Sequence, residues 1–248
     1  MGHLPLYIVV THYNRRAMTM NATNLTNFRL NERLFGIFFI ITFLAYGTGS
    51  TLINNIVTTP DFLNLVPEKS ATIIFAGLLM AVVHTAMNIA LPVLMLPILK
   101  QYSPNLAYGY LGLGIAATVI LAVGVVFLWL LLPLSDGLVK SGGVMTDYYQ
   151  VMASLLTKAG FMAYNMGMAL WGLGGLLFVS ILYRYKLLPR FVSIWGLAGY
   201  VIFIGGTLFE LFGFEYGLMM SAPGGLFEIF LSLWLIFKGF SGKSSNLT

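Results

Sequence analysis

The sequence predicts an all-α fold, a polytopic membrane helix bundle of six transmembrane helices with the N and C termini in the cytoplasm. Three observations support this prediction. Charged residues make up 8% of the chain and hydrophobic residues 58%, whereas about a quarter of the residues of a soluble domain are charged. The chain contains six long apolar runs, and most of its basic residues lie on one side of them.

Each of the six apolar runs reaches the length of about 20 residues that a helix needs to cross a hydrocarbon core of about 30 Å. The runs cover residues 34–56, 71–99, 106–134, 159–183, 191–214 and 218–237. Pro92 and Pro97 predict a kink or tilt in the second helix. The runs define a transmembrane domain over residues 31–240, with a polar cytoplasmic tail over 1–30 and a short cytoplasmic tail over 241–248.

The distribution of basic residues predicts the orientation. Ten of the 13 Lys and Arg residues fall on one side of the predicted helices, namely Arg15, Arg16, Arg29, Arg33, Lys100, Arg184, Lys186, Arg190, Lys238 and Lys243. The other side has Lys69, Lys140 and Lys158. Because cytoplasmic loops carry an excess of Lys and Arg, the side with ten is predicted to face the cytoplasm.

Composition excludes several functions. With no cysteine, the chain has no disulfide, thiolate metal site or Cys nucleophile. The basic residues flank helix ends and form no single patch, so no nucleic-acid partner is expected. Of the three histidines, His3 and His12 lie in the N-terminal tail, so no three-His zinc site is predicted in the membrane. The cofactor stays unknown, because a haem held by His84 with a Met or Tyr partner is left open.

Small residues four positions apart predict close helix packing. In membranes such residues let helix backbones approach one another. The pairs are Ala45 and Gly49, Gly112 and Ala116, and Ala163 and Gly167. We interpret these residues as packing elements and assign them no ligand.

Glu228 is the most informative residue, because it lies near the middle of the last apolar run. A charged side chain at the bilayer centre costs at least about 2.5 kcal/mol on insertion scales, so such residues are candidate functional sites. Pro223, Gly224 and Gly225 precede it, and they predict an unwound or kinked backbone that leaves free polar groups beside the carboxylate. Glu210, in the fifth run, is predicted at the outer rim.

Other polar residues surround this depth. His84 and Asn88 are one turn apart and therefore share a helix face, and Asn165 opens the fourth run from the outer side. The polar residues within the spans are thus predicted to lie between the outer surface and about the middle of the membrane. We predict an outward-facing polar pocket in which Glu228, His84, Asn88, Asn165 and Glu210 bind a ligand, with no metal and no assigned catalytic residue. Structural roles are left open for three of them. His84 is alternatively a structural histidine bonded to Asn88 or to a neighbouring carbonyl, and Asn165 a helix cap or an interhelical polar contact. Glu210 is alternatively hydrated at the membrane interface.

Three stretches resemble a widespread bacterial group of six-helix membrane proteins, domain-of-unknown-function family 4386. They are LPILKQYSPNLAYGYLGLG (96–114), ILYRYKLLPRFVSIWGLAGYVIF (181–203) and GGLFEIFLSLWLIFKGF (224–240). The resemblance covers roughly Glu32 to Phe240. It implies one six-span domain in the bacterial cytoplasmic membrane and no particular chemistry.

Three functions remain in view. The first is binding, and by extension transport, of a small amphipathic or cationic molecule. The second is an intramembrane enzyme that uses Glu228 with His84 as an acid–base pair. The third is a non-catalytic accessory subunit whose polar residues only hold helices together. The lipid bilayer and a small-molecule ligand are the expected partners, and a protein partner or a homo-oligomer is left open.

Overall fold

The computed structural model describes the backbone of residues 6–214 and 216–241, and the side chains of residues 27–214, 216, 217 and 219–241. The helices within these residues are α1 (Leu6–Val57), α2 (Val66–Leu78), a π-helical segment (Leu79–His84), α3 (Thr85–Leu99), α4 (Pro104–Trp129), α5 (Leu131–Lys140), α6 (Thr146–Arg184), α7 (Arg190–Leu211) and α8 (Gly217–Phe237). A short 3₁₀ helix (Phe62–Asn64) lies between α1 and α2.

The all-α fold is confirmed, and the described part of the chain holds six helices long and apolar enough to cross a membrane. These spans are Asn27–Val57, Val66–Leu99, Pro104–Lys140, Thr146–Arg184, Arg190–Leu211 and Met219–Phe237. The first, third and fourth extend well past the predicted apolar runs. The residues at the ends of these helices are polar, so hydropathy does not identify them as part of a span. The first helix also begins within the predicted tail, at Leu6.

The six spans form a ring in the order of the sequence. The first span packs against the second on one side and against the sixth on the other, and the third, fourth and fifth complete the circle. We call the end that carries residues 58–65 and 141–145 the predicted outer end, and the end that carries residues 100–103 and 185–189 the predicted inner end. The largest apolar core fills the ring toward the predicted inner end, where Phe35, Phe178, Phe227 and Leu235 are fully buried.

Two of the three predicted small-residue pairs pack as expected. Gly49 contacts Met80 and Ala76 of the second span, and Gly167 contacts Ala117 and Leu121 of α4. The third prediction is wrong. Gly112 and Ala116 are exposed, and a Cβ on Gly112 would meet nothing within 4 Å.

The reason for that error is the rotation of α4. Its buried face includes Gly114, Ala117, Leu121 and Gly124. Gly114 comes two residues after Gly112, and two residues turn a helix by about 200°, so the predicted pair lies on the opposite face. The buried face meets the fourth span, since Gly124 lies against Gly160.

The predicted break at Pro223, Gly224 and Gly225 is also wrong. The α8 helix runs without interruption from Gly217 to Phe237 with Pro223 inside it. The α7 and α8 backbones pack closely here, since a Cβ added to Gly199 of α7 would lie only 3.1 Å from the Cα of Gly224. This close packing stabilises the helical backbone of α8. The carbonyl of Pro223 accepts a hydrogen bond of 3.1 Å from the Trp195 indole.

The second span contains an irregularity that the sequence analysis did not predict. Residues Leu79–His84 form a π-helical segment between α2 and α3, whereas Pro92 and Pro97 lie inside a continuous α3. A π-helical turn adds one residue to a helix and often occurs at functional sites. Here it ends at His84, one of the predicted site residues.

A buried ionic contact closes the predicted inner end. Glu32 is fully buried, and its Oε2 lies 3.3 Å from the Arg29 guanidinium. Arg29 also donates to the carbonyls of Leu235 (2.6 Å) and Ile236 (2.9 Å) at the end of α8. Burial and the nearby Glu32 carboxylate raise the pKa of Tyr102, which lies in the connection after α3. Glu32 precedes the first predicted apolar run, yet the structure places it inside the first span and buries it, as it buries Glu228.

Candidate functional site

Glu228 lies inside the ring of helices, with 7% of its surface exposed. Its Oε1 accepts two hydrogen bonds, from the indole nitrogen of Trp171 on α6 (2.9 Å) and from the hydroxyl of Tyr200 on α7 (2.8 Å). Neither donor bonds to Oε2, so these two donors hold only one of the two carboxylate oxygens. Free backbone groups were predicted beside Glu228, but α8 is continuous. The side chains of Trp171 and Tyr200 are its hydrogen-bond donors instead.

Glycines allow the two donors to reach the carboxylate. The Tyr200 ring lies so close to Gly175 that a Cβ there would collide with it. Gly175 is one turn after Trp171 on α6, so the Tyr200 ring of α7 packs beside Trp171 and both donors reach the same carboxylate oxygen. On α7, Gly196 receives the Phe227 ring in the same way, which fixes the residue next to Glu228.

Glu228 borders a central cavity of about 350 Å³. The walls come from the first, second, third, fourth and sixth spans and contain five Phe, Tyr or Trp rings. They include Phe39, Phe43, Tyr46, Tyr164 and Trp171. The cavity therefore combines one carboxylate with several aromatic faces.

His84 and Asn88 line the same central cavity. Asn88 donates to the Thr118 hydroxyl at 2.8 Å, which in turn donates to the carbonyl of Gly114, so its amide is engaged in joining α3 to α4. The His84 ring meets Tyr46 edge-on with centroids 4.9 Å apart. His84 is 6% exposed, and its Nδ1 has no hydrogen-bond partner within the described side chains.

Asn165 and Glu210 line a second cavity, of about 340 Å³, toward the predicted outer end. Asn165 donates to the carbonyl of Phe161 in its own helix. Glu210 accepts a 2.6 Å hydrogen bond from the backbone N–H of Gly217 at the start of α8. The structure thus brings Glu228, His84 and Asn88 to one cavity and places Asn165 and Glu210 at another.

Two stacked tyrosines separate the cavities. Tyr46 of α1 and Tyr164 of α6 line both of them, and their ring centroids are 5.6 Å apart. The pair therefore lies at the boundary between the two cavities. Across the described residues, no group of three His, Asp or Glu side chains is placed to hold a metal ion.

A comparison with protein families decides the identity of the domain. The model of a family described as a domain of unknown function, DUF4386, matches residues 34–239. The chain belongs to the DUF4386 family. No curated protein and no solved structure matches it. The matched range includes at least part of each of the six spans and every residue of the central cavity.

The sequence analysis missed the residues that hold Glu228. Trp171 and Tyr200 were not assigned, because an aromatic residue in an apolar run is ordinarily core or lipid-facing. The one available signal was the spacing of Trp171 and Gly175, which places a small residue one turn from an indole. In this DUF4386 domain that spacing lets a second donor reach the same oxygen.

Proposed function

We propose that this protein binds a small organic cation in the central cavity, with Glu228 as the anionic partner. The observation that carries the proposal is the carboxylate itself. One of its oxygens is fixed by Trp171 and Tyr200, and the group borders an aromatic-lined cavity. Aromatic faces attract ammonium groups, most strongly where water is excluded, and a carboxylate supplies the opposite charge.

Binding is supported better than the other functions considered. A purely accessory subunit needs no cavity at its buried carboxylate, and here a cavity is present. A transporter of the inverted-repeat type has broken helices in corresponding positions of both halves. In the described spans the second has a π-helical segment, whereas the fifth, which takes the corresponding position in the second half, is a continuous helix. We therefore propose binding and do not extend the proposal to transport.

An intramembrane enzyme is the second candidate, favoured by one observation. His84 lines the same cavity as Glu228 and has a buried Nδ1 without a hydrogen-bond partner among the described side chains. The two groups form an acid–base pair if one substrate atom reaches both. An enzymatic activity that is lost in both Glu228→Gln and His84→Gln would support this candidate. A cation affinity that does not change in His84→Gln would support the first candidate.

The cation-binding proposal predicts that Glu228→Gln weakens binding of benzyltrimethylammonium at least tenfold. The amide oxygen of Gln still accepts from Trp171 and Tyr200, so the fold is expected to persist while the negative charge is lost. Binding of the radiolabelled cation to protein in lipid nanodiscs measures the effect. Glu68→Gln is the matched control, because Glu68 is exposed at the start of α2.

A neutral ligand of the same shape sharpens this experiment. Neopentylbenzene replaces the ammonium nitrogen by carbon, so it is expected to bind equally to the wild type and to Glu228→Gln. Equal affinity of both proteins for benzyltrimethylammonium would refute the proposal. A tenfold loss of affinity for the cation corresponds to about 1.4 kcal/mol.

We propose that the protein lies in the bacterial cytoplasmic membrane, with the central cavity near its midplane and the second cavity on the external side. This orientation follows from the excess of Lys and Arg at the predicted inner end. Reporter fusions after Lys100, Arg190 and Lys243 are expected to give a cytoplasmic signal, and fusions near Glu68, Asp147 and Glu215 an external one. Lys243 and Glu215 lie outside the described residues. A cytoplasmic signal at Asp147 would invert the orientation.

A further inference from the structure

The first and last spans are in tight contact toward the predicted inner end. A Cβ on Gly36 of α1 would collide with the carbonyl oxygen of Ser232 on α8, and it would lie 2.8 Å from the Ile236 side chain. The absence of a side chain at Gly36 is thus what allows the two backbones to meet. We call the line along which α1 and α8 face each other the α1–α8 seam.

The same seam is open nearer the predicted outer end. Gly47 lies 11 residues after Gly36, which is three helical turns and therefore the same face of α1. Gly225 lies seven residues before Ser232, which is two turns and therefore the same face of α8. A Cβ on Gly47 or on Gly225 would meet nothing within 4 Å. The two helices thus diverge from their contact at Gly36.

The open part of the seam leads to Glu228. Phe43 and Gly47 both line the central cavity, yet Phe43 is 38% exposed and Gly47 is exposed as well. Rings continue inward from this edge, since Phe43 stacks on Phe39 with centroids 5.7 Å apart. Phe39 meets Trp171 at 5.9 Å, and Trp171 donates to the Glu228 carboxylate.

We infer that the α1–α8 seam is a lateral opening to the lipid, and that the ligand is a single-chain cationic amphiphile. This inference rests on the proposed function and names the class of its ligand. The ammonium group lies at Glu228, and the alkyl chain leaves the cavity between α1 and α8, past Phe43 and beside Gly47 and Gly225. An alkyl chain partitions into the bilayer, so such a molecule reaches the cavity from the surrounding leaflet without crossing water.

The first test fills the seam from α8, at Gly225, which does not line the cavity. Gly225→Phe places a ring in the open space on α8. It is expected to weaken binding of decyltrimethylammonium at least tenfold while benzyltrimethylammonium binding changes less than twofold, both measured in phosphatidylcholine nanodiscs. Gly112→Phe is the control, because Gly112 is an exposed glycine of α4 with nothing within 4 Å, and it should leave both affinities unchanged.

Gly47→Phe repeats the test from the α1 side, with the ratio of the two affinities as the measurement. This ratio is expected to shift at least fivefold toward benzyltrimethylammonium. If Gly225→Phe binds both cations like the wild type, or if both variants lose both cations equally, the lateral opening is refuted. Failure of the proposed function looks different, because Glu228→Gln would then bind benzyltrimethylammonium as tightly as the wild type does.

Discussion

The Gly175→Ala variant is expected to lose thermal stability and cation binding together. The Cβ of Ala would collide with the Tyr200 ring, and a buried ring packed on a helix backbone cannot move aside easily. Overpacking of this kind costs about 1 to 3 kcal/mol. Displacing Tyr200 also removes one of the two hydrogen bonds that hold Glu228. Thermal unfolding in detergent and binding of benzyltrimethylammonium are the two measurements.

Gly112→Ala is the matched control for this prediction. It makes the same change inside a membrane helix, at a position where a Cβ meets nothing within 4 Å. Its unfolding temperature is expected to equal or exceed that of the wild type, because Ala is a better helix former than Gly. If Gly175→Ala binds the cation as tightly as Gly112→Ala does, Tyr200 does not position Glu228 for binding.

The Arg29→Ala variant is expected to lower the free energy of unfolding by about 3 kcal/mol, because removing one member of a buried ion pair is strongly destabilising. Arg29 contacts the fully buried Glu32 and donates to two carbonyls at the end of α8. Denaturant titration in mixed micelles measures the change. Cation binding is expected to persist in the folded fraction, since Arg29 does not line the central cavity.

Arg33→Ala removes the same charge from an exposed position four residues later and is expected to change stability little. Arg29→Lys should fall between the two, because an ammonium lacks the planar fork that reaches several acceptors at once. Equal stabilities of Arg29→Ala and Arg33→Ala would show that the contacts at the end of α8 are dispensable.

The six membrane helices could be predicted because lipid imposes a minimum length of apolar chain on each of them. Their ends could not, because polar residues extend a helix beyond the hydrocarbon without any hydropathy signal. Thr146, where α6 begins, was assigned to an outer loop for this reason. The rotation of each helix about its axis is likewise absent from the sequence, and this accounts for the error at Gly112 and Ala116.

The central site was partly predictable for a related reason. The cost of burying charge singles out Glu228, and helical spacing places His84 and Asn88 on one face. The donors Trp171 and Tyr200 could not be assigned, because which aromatic residue meets the carboxylate depends on contacts among three helices. The break expected at Pro223 failed because the local preference of Pro and Gly is overridden by the contact between Gly199 and Gly224.

The π-helical segment fixes the phase of the second span. Gly77 on its first half receives the Trp129 indole, and Asn88 on its second half bonds to Thr118. Eleven residues of regular helix would bring these two positions to nearly the same face, and the extra residue of the π turn rotates everything after it by about 100°. The spacing between Gly77 and Asn88 is therefore fixed to the residue, because a gain or loss of one would turn Asn88 away from Thr118 and His84 away from the central cavity.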